Sequence, residues 1–290
     1  MTLILGVVPD IHFASLFLAD KLGILEKSIA IKREEFASGT GELARALTQG
    51  TINAGIGLTD GLISAIVKGA ADFQLIATFV DSPMKWMVLV NASSGFTSIE
   101  QLRGKTFGIT KPGGGSHINT ILFAHKNGWA ADKDIAIRAQ GTLESVIWGI
   151  QNHEIDAFVW EPFHIRSLVK EGKLRVVDQV IPPWSCFMVA ARKHYIVGNT
   201  ESLKRLLSTL QDAAKEFHRD KDRIIDLVAK EYNLSKEDAS MWFDFVKYSQ
   251  DGKILKKDIE AIISLLIDAD VIPKDIHAPS VIAEGFAPIG

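Results

Sequence analysis

Residues 46–56, ALTQGTINAGI, and residues 149–159, GIQNHEIDAFV, repeat one pattern at an offset of 103 residues (149 − 46). Each stretch reads as the end of a helix, a polar turn, an Ile-polar-Ala step and a buried strand. Upstream, GVVP at residues 6–9 and GITKP at residues 108–112 resemble each other at nearly the same offset. The sequence therefore predicts two copies of one α/β plan, in two lobes.

The length of 290 residues also favours two lobes, because chains of this size usually divide into more than one core. Short apolar runs alternate with helical patterns, which is typical of mostly parallel sheets. We assign residues 1–92 and 187–290 to lobe 1 and residues 93–186 to lobe 2. The crossings, near residues 91–95 and 186–190, are expected to act as a hinge. From residue 201 onward the chain is helical, and its apolar stripe predicts packing helices: Leu203, Leu206, Leu207, Leu210, Ala214 and Phe217.

Composition excludes several classes of function. The net charge is -3 and no Lys/Arg run occurs, so we expect neither a nucleic-acid nor a membrane partner, and no protein partner is evident. The single cysteine, Cys186, excludes an internal disulfide and a multi-cysteine metal site. No metal-binding histidine spacing and no nucleotide or nucleophile motif is present, so no metal, cofactor or catalytic residue is predicted. The N-terminus lacks secretory features, which predicts a cytoplasmic protein, or a periplasmic one only if a leader was removed.

Ligands of open parallel sheets bind beyond the carboxyl ends of the strands. The loops that follow the predicted strands therefore supply the candidate ligand-binding residues. These are Asp10, His12, Phe13, Gly39, Thr40, Gly57, Thr59, Asp60, Trp86, Gly114, Gly115, Ser116, His117, Trp160, Glu161 and Trp184.

Two of these loops, SGTGE at residues 38–42 and KPGGGSH at residues 111–117, are glycine-rich turns that lead into helices. Free N–H groups at a helix start favour an anion, although ordinary capping is the alternative. Trp160 and Trp184 are predicted to cover a flat ring. Glu161 or Asp60 is predicted to accept a hydrogen bond from a ligand amine, or else to cap a helix. Asp10 has the same two interpretations.

Four stretches together resemble a known family: GVVPDIHFASLFLADKLGIL, SGTGELARALTQGTINAGIGLTDGL, SIEQLRGKTFGITKPGGGSH and IDAFVWEPF. They are similar to solute-binding proteins of the nitrate/sulfonate/taurine and thiamine-pyrimidine group. The resemblance implies an α/β, two-lobed type-2 periplasmic-binding-protein fold, with a ligand cleft between the lobes and a helical C-terminal segment. The missing leader looks like a fungal cytosolic branch of the group.

The resemblance implies a small-molecule ligand, planar or anionic, with a thiamine pyrimidine precursor as the first expectation and a sulfonate as the second. The same fold includes the pyrimidine synthase of thiamine biosynthesis, which is similar but has a lysine and a histidine after the third strand and a cysteine-rich segment. Here Gly57 and Gly61 occupy the first two positions, and the chain has one cysteine. A binding protein is therefore predicted, and an enzyme of the same fold or a ligand-state sensor are the alternatives.

Overall fold

The computed structural model describes residues 2–21, 23, 30–69, 71–275 and 280–290. The chain divides into two compact units. Unit 1 comprises Met1–Ser82, Trp184–Ile259 and His277–Gly290, and unit 2 comprises Pro83–Pro183 and Glu260–Ile276. Each unit contains a five-stranded sheet within the described residues.

Unit 1 is built on the sheet order β2-β1-β3-β10-β4. Its strands are β1 (Leu3–Val7), β2 (Ile31–Glu35), β3 (Ala54–Leu58), β4 (Phe73–Val80) and β10 (Phe187–Arg192). Strand β1 is parallel to β2 and β3, whereas β10 runs antiparallel to β3 and β4. The connecting helices are α1 (Ala14–Lys21), α2 (Thr40–Gln49) and α3 (Thr59–Val67).

Unit 2 repeats this arrangement with the sheet order β7-β6-β8-β5-β9. Its strands are β5 (Trp86–Asn91), β6 (Thr106–Ile109), β7 (Ala136–Ala139), β8 (Ala157–Trp160) and β9 (Leu174–Val180). Strand β6 is parallel to β7 and β8, and β5 is antiparallel to β8 and β9. The helices are α4 (Gly115–Lys126), α5 (Leu143–Gln151) and α6 (Pro162–Lys170). The predicted α/β fold of two similar lobes is confirmed.

The repeated Ile-polar-Ala step has the same packing role in both sheets. In unit 1 a Cβ on Gly6 would overlap Cδ1 of Ile52, and in unit 2 a Cβ on Gly108 would overlap Cδ1 of Ile155. Both isoleucines are buried. Each glycine therefore leaves room for the isoleucine that precedes the neighbouring parallel strand, which explains why the two stretches share one pattern.

The C-terminal segment is helical, as predicted. Its helices are α7 (Lys193–Phe217), α8 (Lys221–Glu231), α9 (Lys236–Phe245) and α10 (Lys256–Asp268). All six residues of the predicted apolar stripe on α7 are buried. Ser235 caps α9 by accepting a hydrogen bond from the backbone N–H of Asp238 at 3.0 Å. Among the described residues, no helix is both long and apolar enough to cross a membrane.

Strand β5 lies before residue 92, where the sequence analysis placed the end of the first lobe. It pairs with β8 and β9 in the second sheet, so residues 86–91 lie in unit 2. The chain leaves unit 1 at Ser82 and returns to it at Trp184. Strand β5 belongs to unit 2 because it is an inner strand of that sheet, paired on both sides. The small polar residues after Asn91 form the turn that ends the strand.

Candidate functional site

Asp10 and His12 form a buried pair just after β1. The Oδ1 atom of Asp10 accepts hydrogen bonds from the backbone N–H of His12 at 2.8 Å and from its Nδ1 at 2.6 Å. The carboxylate thereby caps the short 3-10 helix Ile11–Phe13, which is one of the two interpretations of Asp10. The ring of Phe13 is buried 5.6 Å from that of Phe79 and 5.3 Å from that of Phe187. Phe13 is therefore a core residue of unit 1.

The starts of α2 and α3 are joined through Thr40. Its Oγ1 accepts a hydrogen bond from the backbone N–H of Leu58 at 2.9 Å. Its methyl carbon Cγ2 lies 2.8 Å from the place where a Cβ of Gly57 would stand, and 3.0 Å from that of Gly61. Gly39, with φ +82, precedes the first turn of α2. Close packing of Thr40 against the turn from β3 to α3 thus explains why Gly57 and Gly61 have no side chain.

Gly57→Ala is expected to lower the free energy of unfolding by about 1–3 kcal/mol, because the new methyl group overlaps the Thr40 side chain. Thr40→Ser keeps the hydroxyl acceptor and removes the methyl group. The double variant should therefore recover most of the loss. Urea denaturation of the two single variants and the double variant measures this coupling, and simple additivity would contradict it.

Thr59 and Asp60 begin α3 and approach the residues before β10. The backbone N–H of Thr59 donates to the carbonyl of Cys186 at 3.0 Å. The Oγ1 atom of Thr59 is buried and has no hydrogen-bond partner among the described residues. Asp60 is buried, and its Oδ1 accepts from the backbone N–H of Gly61 at 2.7 Å. Trp184 is 4% exposed, so little of its ring is available to cover a ligand.

The thiol of Cys186 is buried beside acidic groups. Burial raises the pKa of this thiol well above its usual value, and the charges of Asp10 and Asp60 raise it further. The thiol therefore remains protonated at neutral pH. This agrees with the interpretation of Cys186 as a small buried residue rather than a nucleophile.

Cys186 is expected to react with a disulfide reagent at pH 8 at least about 100-fold more slowly in the native protein than in urea, because both its burial and its raised pKa suppress the thiolate. The raised pKa also makes stability depend on pH. Above pH 9.0, the usual pKa of a cysteine thiol, Cys186 is deprotonated in the unfolded state and protonated in the folded state, so the free energy of unfolding falls as the pH rises. Cys186→Ala should remove that part of the pH dependence. Rapid reaction of the native protein with the disulfide reagent would contradict the prediction of slow labelling.

The glycine loop of unit 2 forms the start of α4. Gly113 has φ +75, in the region that favours glycine, and α4 begins without a side-chain cap in the described structure. The backbone N–H of Gly113 donates to Nδ1 of His117 at 2.9 Å, and that of Thr110 donates to Oγ of Ser116 at 3.1 Å. Because Nδ1 of His117 accepts, the neutral ring carries its proton on Nε2. The loop thus holds the hydroxyl of Ser116 and the imidazole of His117 in place beside the first N–H groups of α4.

Glu161 caps α6. Its Oε2 accepts from the backbone N–H of Phe163 at 2.6 Å, and its Oε1 accepts from the backbone N–H of His164 at 2.9 Å. The Nδ1 atom of His164 also contacts Oε1. The structure therefore shows that Glu161 caps a helix, which is one of the two interpretations of this residue.

The two tryptophans of unit 2 that the sequence singled out belong to its sheet. Trp160 ends β8 and is partly buried against a core cluster that includes Leu89, Phe158 and Ile165. Trp86 begins β5, opposite Val180, and is 4% exposed. Core packing therefore accounts for Trp86 and for part of the Trp160 ring.

The sequence analysis did not single out Trp242. This residue lies on α9, yet its ring centroid is 6.0 Å from that of His12, in unit 1. The helices after residue 201 were interpreted as packing elements only. No local signal distinguishes Trp242, because a tryptophan in an amphipathic helix is ordinarily a core residue.

The fold and the loops at the strand ends define a class, the substrate-binding proteins of the type-2 periplasmic-binding fold. Residues 24–226 match the family described as "ABC transporter, phosphonate, periplasmic substrate-binding protein", and the chain belongs to that family. No curated protein matches this sequence.

Solved structures with similar folds include three proteins below 25% identity, which therefore support the fold alone. The Candida albicans CA3427 gene product, which "defines a new family of proteins exhibiting the generic periplasmic binding protein structural fold", is 21% identical, with a TM-score of 0.84, over 95% of this chain and 92% of that one. The alkanesulfonate-binding protein SsuA from Xanthomonas axonopodis pv. citri, bound to MOPS, is 19% identical, with a TM-score of 0.80, over 97% and 98% of the two chains. The periplasmic nitrate-binding protein NrtA from Synechocystis PCC 6803 is 14% identical, with a TM-score of 0.73, over 94% and 83%.

Proposed function

We propose that this protein binds a small organic oxoanion, a phosphonate or a sulfonate, and that the start of α4 holds the anionic group. The observation that carries the proposal is the uncapped start of this twelve-residue helix after three consecutive glycines. The N–H groups and dipole at such a start attract negative charge. The family to which the chain belongs supports a phosphonate, and the SsuA likeness suggests a sulfonate.

The side chains around this helix start are suited to an anion. Ser116 and His117 are buried, and their hydroxyl and Nε2–H groups are donors. Lys111 is half-buried, two residues before the loop glycines, and contributes a positive charge. A hydrogen bond from Gly114 N–H to the carbonyl of Lys111, at 3.1 Å, fixes the turn that brings the lysine backbone to the helix start.

The second candidate ligand is a phosphorylated aminopyrimidine of the thiamine type, whose phosphate group would bind at the same helix start. The resemblance of the sequence to the thiamine-pyrimidine group of solute-binding proteins supports this candidate. A cytoplasmic location stays a prediction, which cell fractionation tests.

The test is a thermal-shift screen followed by calorimetry. The probes are methylphosphonate, 2-aminoethylphosphonate, ethanesulfonate, taurine, nitrate, and the hydroxymethylpyrimidine of thiamine with its phosphate. A ligand at 100 times its dissociation constant stabilises the native state by about 2.7 kcal/mol, which is a readable shift. A shift with a phosphonate or sulfonate supports the proposal, and a shift with the pyrimidine phosphate alone selects the second candidate. A screen in which no oxoanion responds would overturn both.

A further inference from the structure

A cavity of about 410 Å³ lies within unit 2, beside α4. Its size falls in the range of about 300–1,000 Å³ that small-molecule pockets occupy. Six of its eight lining residues are apolar: Ile121, Ala131, Ile135, Ala136, Ile137 and Ala269. The cavity is therefore suited to an apolar group of a small molecule.

The cavity adjoins the start of α4, where the anionic group of the ligand is proposed to bind. His117 lies in the first turn of α4 and also lines the cavity. Ile121 lies on the same face of the helix, at a rise of about 6 Å beyond His117, because each helical residue adds about 1.5 Å. The cavity therefore extends from the helix start along about one turn of α4.

Hydrogen bonds fix the loop that forms one wall of the cavity. The carboxylate of Asp134 accepts from the backbone N–H of Ala130 at 2.8 Å and from Nε of Arg103 at 3.0 Å. The backbone N–H of Asp134 donates to the carbonyl of Ala130 at 2.7 Å. Ala131 and Ile135, the lining residues of this loop, are thus held in place by the protein itself. A cavity with fixed walls favours binding, since little order is lost when a ligand enters.

We infer that this cavity holds an apolar substituent of the bound oxoanion, an alkyl chain of about four carbons that runs along one turn of α4 from the anionic group. The inference deepens the proposed function and rests on it, because the start of α4 has to hold the anionic group. The exposed carboxylate of Asp132 also lines the cavity, and it disfavours a chain that ends in a second anion. The ligand is thus an alkylphosphonate or alkylsulfonate with an uncharged chain.

Isothermal titration calorimetry with two probe pairs tests the inference. The pairs are butylphosphonate against methylphosphonate, and butanesulfonate against methanesulfonate. Both members of a pair carry the same anionic group, and the longer one adds three methylene groups. Burial of a methylene group raises affinity by about two- to fourfold, so the longer member of at least one pair should bind about 10- to 60-fold more tightly than the shorter.

Ala131→Phe fills the cavity from the loop. It should reduce this affinity ratio to below about threefold, while the affinity for the shorter member stays within about twofold of the wild-type value. Ala269→Phe makes the same change from the residue that follows α10, so a folding defect in one variant leaves the other to decide. Ala130→Phe is the matched control, because Ala130 is exposed, precedes Ala131 and is not one of the lining residues. Its ratio should equal that of the wild-type protein.

Three results would count against the inference. A wild-type ratio near one, with the shorter member bound, would overturn it and leave the proposed function standing. A wild-type ratio that both Ala131→Phe and Ala269→Phe retain would also overturn it, because the alkyl chain would then bind elsewhere. If no member of either pair binds, the proposed function fails, and the inference fails with it.

Discussion

Lys111→Glu is expected to weaken the binding of an alkylphosphonate or alkylsulfonate by about 100-fold. The substitution removes a positive charge beside the start of α4 and adds a negative one, and a 100-fold change corresponds to about 2.7 kcal/mol. Lys111→Met, which removes the charge alone, should cost about tenfold. Isothermal titration calorimetry at low ionic strength measures both, since salt screens half-buried charges in part.

Lys133→Glu is the control for this prediction. Lys133 is exposed in the same unit, and its substitution makes the same change in net charge. Affinity in this variant should stay within about twofold of the wild-type value, because an exposed charge is screened by solvent. Equal losses in Lys111→Glu and Lys133→Glu would indicate a general charge effect and would contradict the assignment of the anionic group to the start of α4.

Phe217→Ala is expected to lower the free energy of unfolding by about 3–5 kcal/mol, the usual cost of truncating a buried aromatic side chain. Phe217 is fully buried at the end of α7. Its ring stacks on Phe243 at 5.3 Å and meets Tyr248 edge-on at 4.8 Å and Trp242 at 5.9 Å. Loss of this ring opens a cavity among the C-terminal helices and removes the support of Trp242.

Val197→Ala provides the comparison on the same helix. Val197 is 86% exposed, and its truncation should change stability by no more than about 0.5 kcal/mol. Urea denaturation followed by tryptophan fluorescence measures both variants. A loss of less than about 1 kcal/mol in Phe217→Ala would mean that the neighbouring rings close the cavity, and would contradict the role assigned to the cluster.

Local patterns in the chain predicted most of the fold correctly. The Ile-polar-Ala step before β3 and before β8 marked two equivalent strands, and the apolar stripe from Leu203 to Phe217 marked α7 as a packing helix. These features depend on residues within a turn or two of one another, so their physics is present in the sequence itself.

The sequence predicted the loops that follow the strands, but not which of their residues cap helices and which pack in the core. Glu161 had two interpretations, and its hydrogen bonds to the start of α6 show capping. Phe13 and Trp184 were expected at a ligand, and both are buried. Neighbouring residues do not determine whether an aromatic ring at a strand end is covered by another element. That depends on distant segments, such as Phe79 and Phe187 for Phe13.

The sequence by itself determined the α/β class, the repeat, the helical C-terminal segment and the glycine turns, because hydrophobic period, capping and backbone freedom are local properties. Only the tertiary structure decided that β5 joins the second sheet, that Thr40 fills the space beside Gly57, and that Trp242 reaches His12. These contacts join residues from 17 to 230 positions apart (57 − 40 and 242 − 12). Contacts over such separations depend on strand order and on helix packing across the whole unit, and no local pattern contains that information.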